Sequence, residues 1–84
     1  MSEVTIYSSD YCPFCIRAKQ LLKMKQVDFN EINVDGQSAL RREMTEKSGR
    51  TSVPQIWIQE HHVGGCDELF ALERSGKLDT LLSK

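Results

Sequence analysis

Glu3-Val4-Thr5-Ile6-Tyr7-Ser8-Ser9-Asp10-Tyr11-Cys12-Pro13-Phe14-Cys15 passes from an extended run into a segment with helical spacing, and a Cys-x-x-Cys falls at the junction. Val4 and Ile6 share one face and Thr5 and Tyr7 the other, the period of a strand. From Pro13 to about Lys25, Cys15, Ala18, Leu21 and Leu22 form one helical stripe opposite Arg17, Lys19, Gln20 and Lys23. With Cys12 as N-cap and Pro13 as the first helical residue, the N–H groups of Phe14 and Cys15 lack intrahelical acceptors and point back toward the Cys12 sulfur. Those donors and the positive end of the helix dipole favour a thiolate. Cys15, one turn on, faces the protein and is placed to attack a mixed disulfide formed on Cys12. A Cys-x-x-Cys in this setting points to thiol–disulfide chemistry. The competing reading is half of a zinc site or two inert thiols, but a structural zinc site usually needs four ligands and the chain holds one further Cys.

The composition narrows the alternatives. Residues 1–84 make one domain, close to the smallest size that a single core supports without staples. Eleven basic against twelve acidic residues leave a net charge of -1, so neither nucleic acid nor an anionic membrane is expected as a partner. No run approaches the roughly 20 apolar residues of a membrane span, and Met1-Ser2-Glu3 leads into the strand rather than into a signal peptide. From these features a cytoplasmic protein is expected. In that reducing compartment an odd count of cysteines fits catalysis better than a disulfide scaffold.

Downstream, Val27–Val34 reads as a second strand. Its alternation slips between Phe29 and Ile32, which predicts a bulge or an early strand end near Asn30 and Glu31. Strand, helix and strand then form a right-handed crossover with parallel strands. A helix is expected over Ser38–Ser48, weakly amphipathic through Leu40 and Met44, with a Glu43–Lys47 pair and Gly49 as its C-terminal cap. Arg41 and Arg42 on it form a solvated face, or else help hold a substrate carboxylate. Gly49-Arg50-Thr51-Ser52-Val53-Pro54 is a loop, and Gln55-Ile56-Trp57-Ile58 a strand entered at Pro54, since proline cannot donate to a ladder. A trans proline is the default; a cis peptide would aim the Val53 main chain outward, where an extended peptide can pair with it. Gln59-Glu60-His61 makes a turn and His62-Val63 a return strand.

Gly64-Gly65-Cys66-Asp67 opens a helix carrying Leu69, Phe70 and Leu72, with Asp67 as N-cap. A helix N-terminus beside two glycines is an anion site sized for a carboxylate, or simply a capped hairpin exit. Leu78, Leu81 and Leu82 add a last helical turn or two. His61 and His62 diverge as neighbours on a strand and read as surface residues, not ligands. Cys66 reads as a small buried hydrophobe, with a third redox thiol as the alternative. Asp10 opposes a thiolate beside it unless it points into solvent and is screened.

Cys12-Pro13-Phe14-Cys15, Thr51-Ser52-Val53-Pro54 and Gly64-Gly65-Cys66-Asp67 together resemble the three landmark motifs of the dithiol glutaredoxins, most closely the bacterial glutaredoxin 3 type. The likeness spans essentially the whole chain. It implies an α/β thioredoxin fold, βαβαββα, whose four-stranded mixed sheet runs 2-1-3-4 between flanking helices, with Pro54 in cis. It also implies glutathione as co-substrate, with no metal or flavin, and a monomer acting on disulfide-containing or glutathionylated proteins. By the same resemblance Cys12 is the nucleophile and Cys15 the resolving thiol. The Val53 main chain, beside Pro54, would pair with the cysteinyl part of glutathione, while the Cys66 N–H and the Asp67 side chain would hold its γ-glutamyl end. Phe14 and Gln55 match positions near the glycyl end. Many family members carry a lysine three residues before the nucleophile. Here that position is Ser9, so either Arg17 or Arg41 supplies the cation or the cleft is less positive and binds glutathione more weakly.

Overall fold

The computed structural model describes residues 3–83, so Met1 and Ser2, the start of the expected entry into the first strand, and Lys84 lie outside the described residues. Eight elements follow one another: β1 (Val4–Ser8), α1 (Pro13–Met24), β2 (Phe29–Asn33), α2 (Ser38–Ser48), β3 (Gln55–Ile58), β4 (His61–Gly64), α3 (Cys66–Arg74) and α4 (Lys77–Leu82). The sheet order is β2-β1-β3-β4, with β1 parallel to β2 and antiparallel to β3, and β3 antiparallel to β4. This is the thioredoxin fold that the motifs imply. Gly76 at φ 78° turns the chain between α3 and α4, and α4 is the last helical turn or two expected from Leu78, Leu81 and Leu82.

The two faces of the sheet bury different sets of side chains. Val4 and Ile6 of β1 and Ile56 and Ile58 of β3 meet Ala18, Leu21 and Leu22 of α1, Leu69 of α3 and Leu78 of α4. On the opposite face Tyr7, Val34 and Met44 form a smaller cluster with Leu40, Val53 and Trp57 against them. Lys25 closes the far end of α1, reaching Glu73 at 2.7 Å and Asp79 at 3.0 Å. The carboxylates beside it hold its ammonium charged to higher pH than usual.

Three local expectations change. The second strand begins at Phe29, and its pairing with β1 is continuous from Val4↔Phe29 to Ser8↔Asn33, with no bulge. The slipped alternation has another origin: β2 buries residues on both faces of the sheet, Phe29 against the larger core and Ile32 against the smaller cluster, while Val27 packs from the loop after α1, where Gln26 takes φ 58°. The irregularity of the sheet lies on β4, where Trp57 pairs with His62 but Ile56 with Gly64, leaving Val63 as the extra residue. β4 itself starts at His61, since Gln59 and Glu60 suffice for the turn with Gln59 at φ 55°. The third helix is capped at Gly65, not Asp67, because Glu68 at the third helical position returns its carboxylate to the Gly65 N–H at 2.6 Å. α2 spans the expected residues. Glu43 and Lys47 approach to 3.4 Å, and Gly49 closes the helix at φ 73°.

Candidate active site

Cys12 caps α1 as the residue pattern requires. Its backbone is extended, Pro13 is the first helical residue, its carbonyl accepts from the Ile16 N–H at 3.1 Å, and its sulfur accepts from the Cys15 N–H at 3.2 Å. The sulfur thus meets a backbone donor and the positive end of a helix. Cys15 is wholly buried, whereas Cys12 is half-buried. Burial, and then the hydrogen bond with Cys12, push the Cys15 thiol up to about 12. The two sulfurs are therefore unequal: one is reachable, and the other is held protonated inside.

The loop delivering Cys12 is fastened to the end of β2. The Ser9 hydroxyl donates to Asp35 Oδ1 at 2.6 Å, the Asp10 N–H donates to Asp35 Oδ2 at 2.8 Å, and Asn33 Nδ2 donates to Asp10 Oδ1 at 2.7 Å. The Ser9 hydroxyl and the Asp10 N–H hold the Asp35 carboxyl below its usual range. Ser9, found where a lysine is common, therefore works as a loop anchor. Asp10 is exposed but is occupied by Asn33 as well as by solvent.

Across from Cys12, the Val53–Pro54 peptide is cis, and the Cys12 thiol donates to the Val53 carbonyl at 3.7 Å. Next along the rim is the start of α3. Gly65 permits close approach there, since a Cβ at this position would stand 3.3 Å from the Pro54 carbonyl oxygen. Phe14, Val53, Pro54, Cys66 and Asp67 line one cleft of about 250 Å³. Phe14 is 53% exposed and Asp67 is exposed, while Cys66 is buried and its thiol is raised by that burial.

Gln55 is the exception among the candidate residues. It is wholly buried, its amide Nε2 donates to the Ser52 carbonyl at 3.0 Å, and its Oε1 meets His62 Nε2 at 2.8 Å. Because Nε2 of Gln55 is used as donor, Oε1 is the acceptor and His62 carries its proton on Nε2. Gln55 therefore props the loop before Val53 from beneath and does not open into the cleft. His62 is correspondingly no surface residue. It lies half-buried against Trp57, with ring centroids 4.7 Å apart, and burial lowers its tendency to take a second proton.

Sequence reasoning passed over Arg50, Ser52 and Glu68 as residues of the same cleft. Glu68 Oε1 accepts from both the Gly65 N–H and Arg50 Nη1, the latter at 2.9 Å, and these donors hold its carboxyl below the usual range. The Gly65-to-Glu68 spacing is a capping signal that could have revealed one of the three. The two substitute cations lie on opposite sides. Arg17 sits over the Phe70 ring at 5.5 Å, toward α3, and Arg41 Nη1 donates to the Thr51 carbonyl at 3.1 Å, beside the cis-proline loop. Arg42 is exposed. Among the described residues no group of three or more His, Cys, Asp or Glu is placed to hold a metal ion, and no helix is long and apolar enough to cross a membrane.

Comparison with known proteins gives the same picture. The glutaredoxin family model matches residues 4–63. A glutaredoxin of Pseudomonas aeruginosa is 64% identical over 83 residues, covering 99% of this chain and 99% of the relative. Glutaredoxin 3 of Escherichia coli is 54% identical over 82 residues, covering 98% and 99%. Among solved structures, a buckwheat glutaredoxin–glutathione complex superposes with a TM-score of 0.90 at 28% identity, over 98% of this chain and 77% of that one. With a half-buried cysteine capping a helix opposite a cis-proline loop, and with these relatives, the chain belongs to the glutaredoxin family of thiol–disulfide oxidoreductases.

Proposed function

We propose that this protein reduces protein disulfides and protein–glutathione mixed disulfides with electrons from glutathione. The observation that carries the reading is the place of Cys12, whose sulfur lies 3.7 Å from the Val53 carbonyl at the edge of the cleft ending at α3. A tripeptide with its sulfur on Cys12 can pair its cysteinyl main chain with Val53, beside Pro54. Its γ-glutamyl carboxylate then meets the Cys66 N–H at the start of α3, and the ammonium meets Asp67. The glycyl end runs past Phe14 toward Arg41, the cation held beside Thr51. Gln55 contributes indirectly, through Ser52. The glutathione complex of the buckwheat relative supports this choice of co-substrate.

The chemistry divides at the first intermediate. The Cys12 thiolate attacks a disulfide, and the leaving sulfur departs as the better-stabilised thiolate. With a glutathionylated protein, Cys12 takes the glutathione, and a second glutathione releases it as glutathione disulfide. With a protein disulfide, Cys15 displaces the substrate sulfur and closes the Cys12–Cys15 disulfide, which two glutathiones then reduce. The same reading gives a cytoplasmic monomer whose single domain, residues 1–84, uses neither metal nor flavin, with no nucleic acid or membrane partner.

The test couples oxidation of glutathione to turnover of a small mixed disulfide, β-mercaptoethanol–glutathione, for the native chain and for Cys12→Ser. Turnover that depends on glutathione and disappears in Cys12→Ser is the expected result. Turnover only with a flavoenzyme reductant, or retained in Cys12→Ser, would sink the reading.

A further inference from the structure

Behind the reactive pair, the apolar face of the sheet changes character. Val4, Ile6 and Ser8 alternate onto the face of β1 that receives α1 and Cys15, and Ser8 is the polar member, wholly buried. Its hydroxyl donates to Glu31 Oε2 at 2.7 Å, and Lys19 Nζ donates to the same oxygen at 2.8 Å. Glu31 pairs with Ile6 across the parallel ladder and so reaches over this same face. Lys19 lies one turn beyond Cys15 on α1, a spacing that sets Cβ atoms about 5–6 Å apart on one helix face. Its side chain is only 22% exposed. A polar file thus runs from Ser8 through Glu31 to the ammonium of Lys19, the residue one turn beyond the buried thiol and in electrostatic reach of it.

The resolving step needs such a group. Cys15 must carry negative charge while it attacks, yet burial and the neighbouring Cys12 oppose that charge, with only the Ser9 backbone and Lys19 favouring it. Beyond these, Lys23 acts electrostatically on Glu31, and Cys66 of α3 interacts electrostatically with Cys12. None of these supplies a positive charge to Cys15 directly.

We propose that Lys19, anchored by Glu31, is a positioning residue of the dithiol route, stabilising the charge that develops on the Cys15 sulfur as it closes on Cys12. This rests on the dithiol reading above. In the step, the bond between Cys12 and the substrate sulfur breaks and the Cys12–Cys15 bond forms. The Cys15 proton ends on the departing substrate thiol, so the exchange is neutral and no outside oxidant enters. The monothiol route never uses Cys15, and Lys19 therefore separates the two routes.

The experiment mixes the reduced full chain with stoichiometric 5,5′-dithiobis(2-nitrobenzoate) and follows thionitrobenzoate release across pH. A first release reports attack by Cys12, and a second reports closure by Cys15. In Lys19→Gln the first phase is unchanged, the second is about three- to tenfold slower near neutral pH, and its pH profile moves upward. Lys19→Arg restores the rate. An unchanged second phase in Lys19→Gln at every pH, or equal slowing of both phases, overturns the role of Lys19. A second phase absent from the native chain, or retained in Cys15→Ser, overturns instead the dithiol reading and this role with it.

Discussion

Glu68 is the residue whose removal tests the construction of the cleft most sharply. One oxygen serves two donors, the Gly65 N–H at the start of α3 and the Arg50 guanidinium from the loop before the cis proline. Glu68→Ala takes the acceptor from the N-terminal N–H, a loss of about 1 kcal/mol for a helix cap. The ion pair adds less, because the two side chains are 48% and 44% exposed. Screening at such exposure limits it to about 0.2–1 kcal/mol. The sum, about 1–2 kcal/mol, corresponds to a fall in Tm of roughly 5–15 °C for a domain of this size. Glu68→Gln keeps an acceptor and loses only the charge, so it falls between the two.

The pH dependence has a definite sign. The Glu68 carboxyl is depressed in the folded protein relative to its ordinary value of 4.5, by the Gly65 N–H first and by Arg50 second. Its charge therefore stabilises the fold fully above that ordinary value, and the contribution is lost as pH falls through the lower folded value. Urea unfolding of the native chain and Glu68→Gln should differ near neutrality and converge in acid. A gap that stays constant down to strongly acidic pH, or Glu68→Ala with native stability, would refute the cap and pair. The same variant should raise KM for glutathione more than it lowers kcat, since α3 presents Cys66 and Asp67 to the cleft.

Two other outcomes follow from the fold and the sulfur pair. Cys15→Ser should keep glutathione-dependent deglutathionylation of a peptide and lose reduction of protein disulfides, measured side by side with the two substrates. Loss of both activities would contradict the separate roles of the two thiols. Met44→Ala should cost about 2–5 kcal/mol in urea unfolding, because Met44 is wholly buried where α2 meets Tyr7 and Val34, and a cost below 1 kcal/mol would contradict that packing.

Local signals were readable where a residue's own neighbours decide its conformation. Cys12 and Pro13 announce an N-cap and a first helical residue, and Gly49 announces the end of α2, because backbone donors and positive φ are properties of a few adjacent residues. The three-motif resemblance supplied the sheet order and the cis peptide, which spacing alone did not give. Contacts between distant parts of the chain were the less legible ones. Asp35 fastens a loop 25 residues before it, and Arg50 meets Glu68 across 18 residues, pairings that depend on the crossover and the hairpin being formed. Gln55 shows how that matters. The alternation that sends Ile56 and Ile58 to one face correctly separates Gln55 from them, but its burial follows from finding Ser52 and His62 as partners. Asp67 has the chemistry of a cap, and it was displaced from that role by a glutamate one residue later whose longer side chain reaches back.

The most direct measurement is the site of glutathione attachment. Cys15→Ser, incubated with glutathione disulfide and digested without reduction, should yield by mass spectrometry a single glutathione adduct on the peptide containing Cys12, with Cys66 unmodified. An adduct on Cys66 alone, or none at all in the folded protein, would contradict the assignment of Cys12 as the nucleophile facing a glutathione cleft.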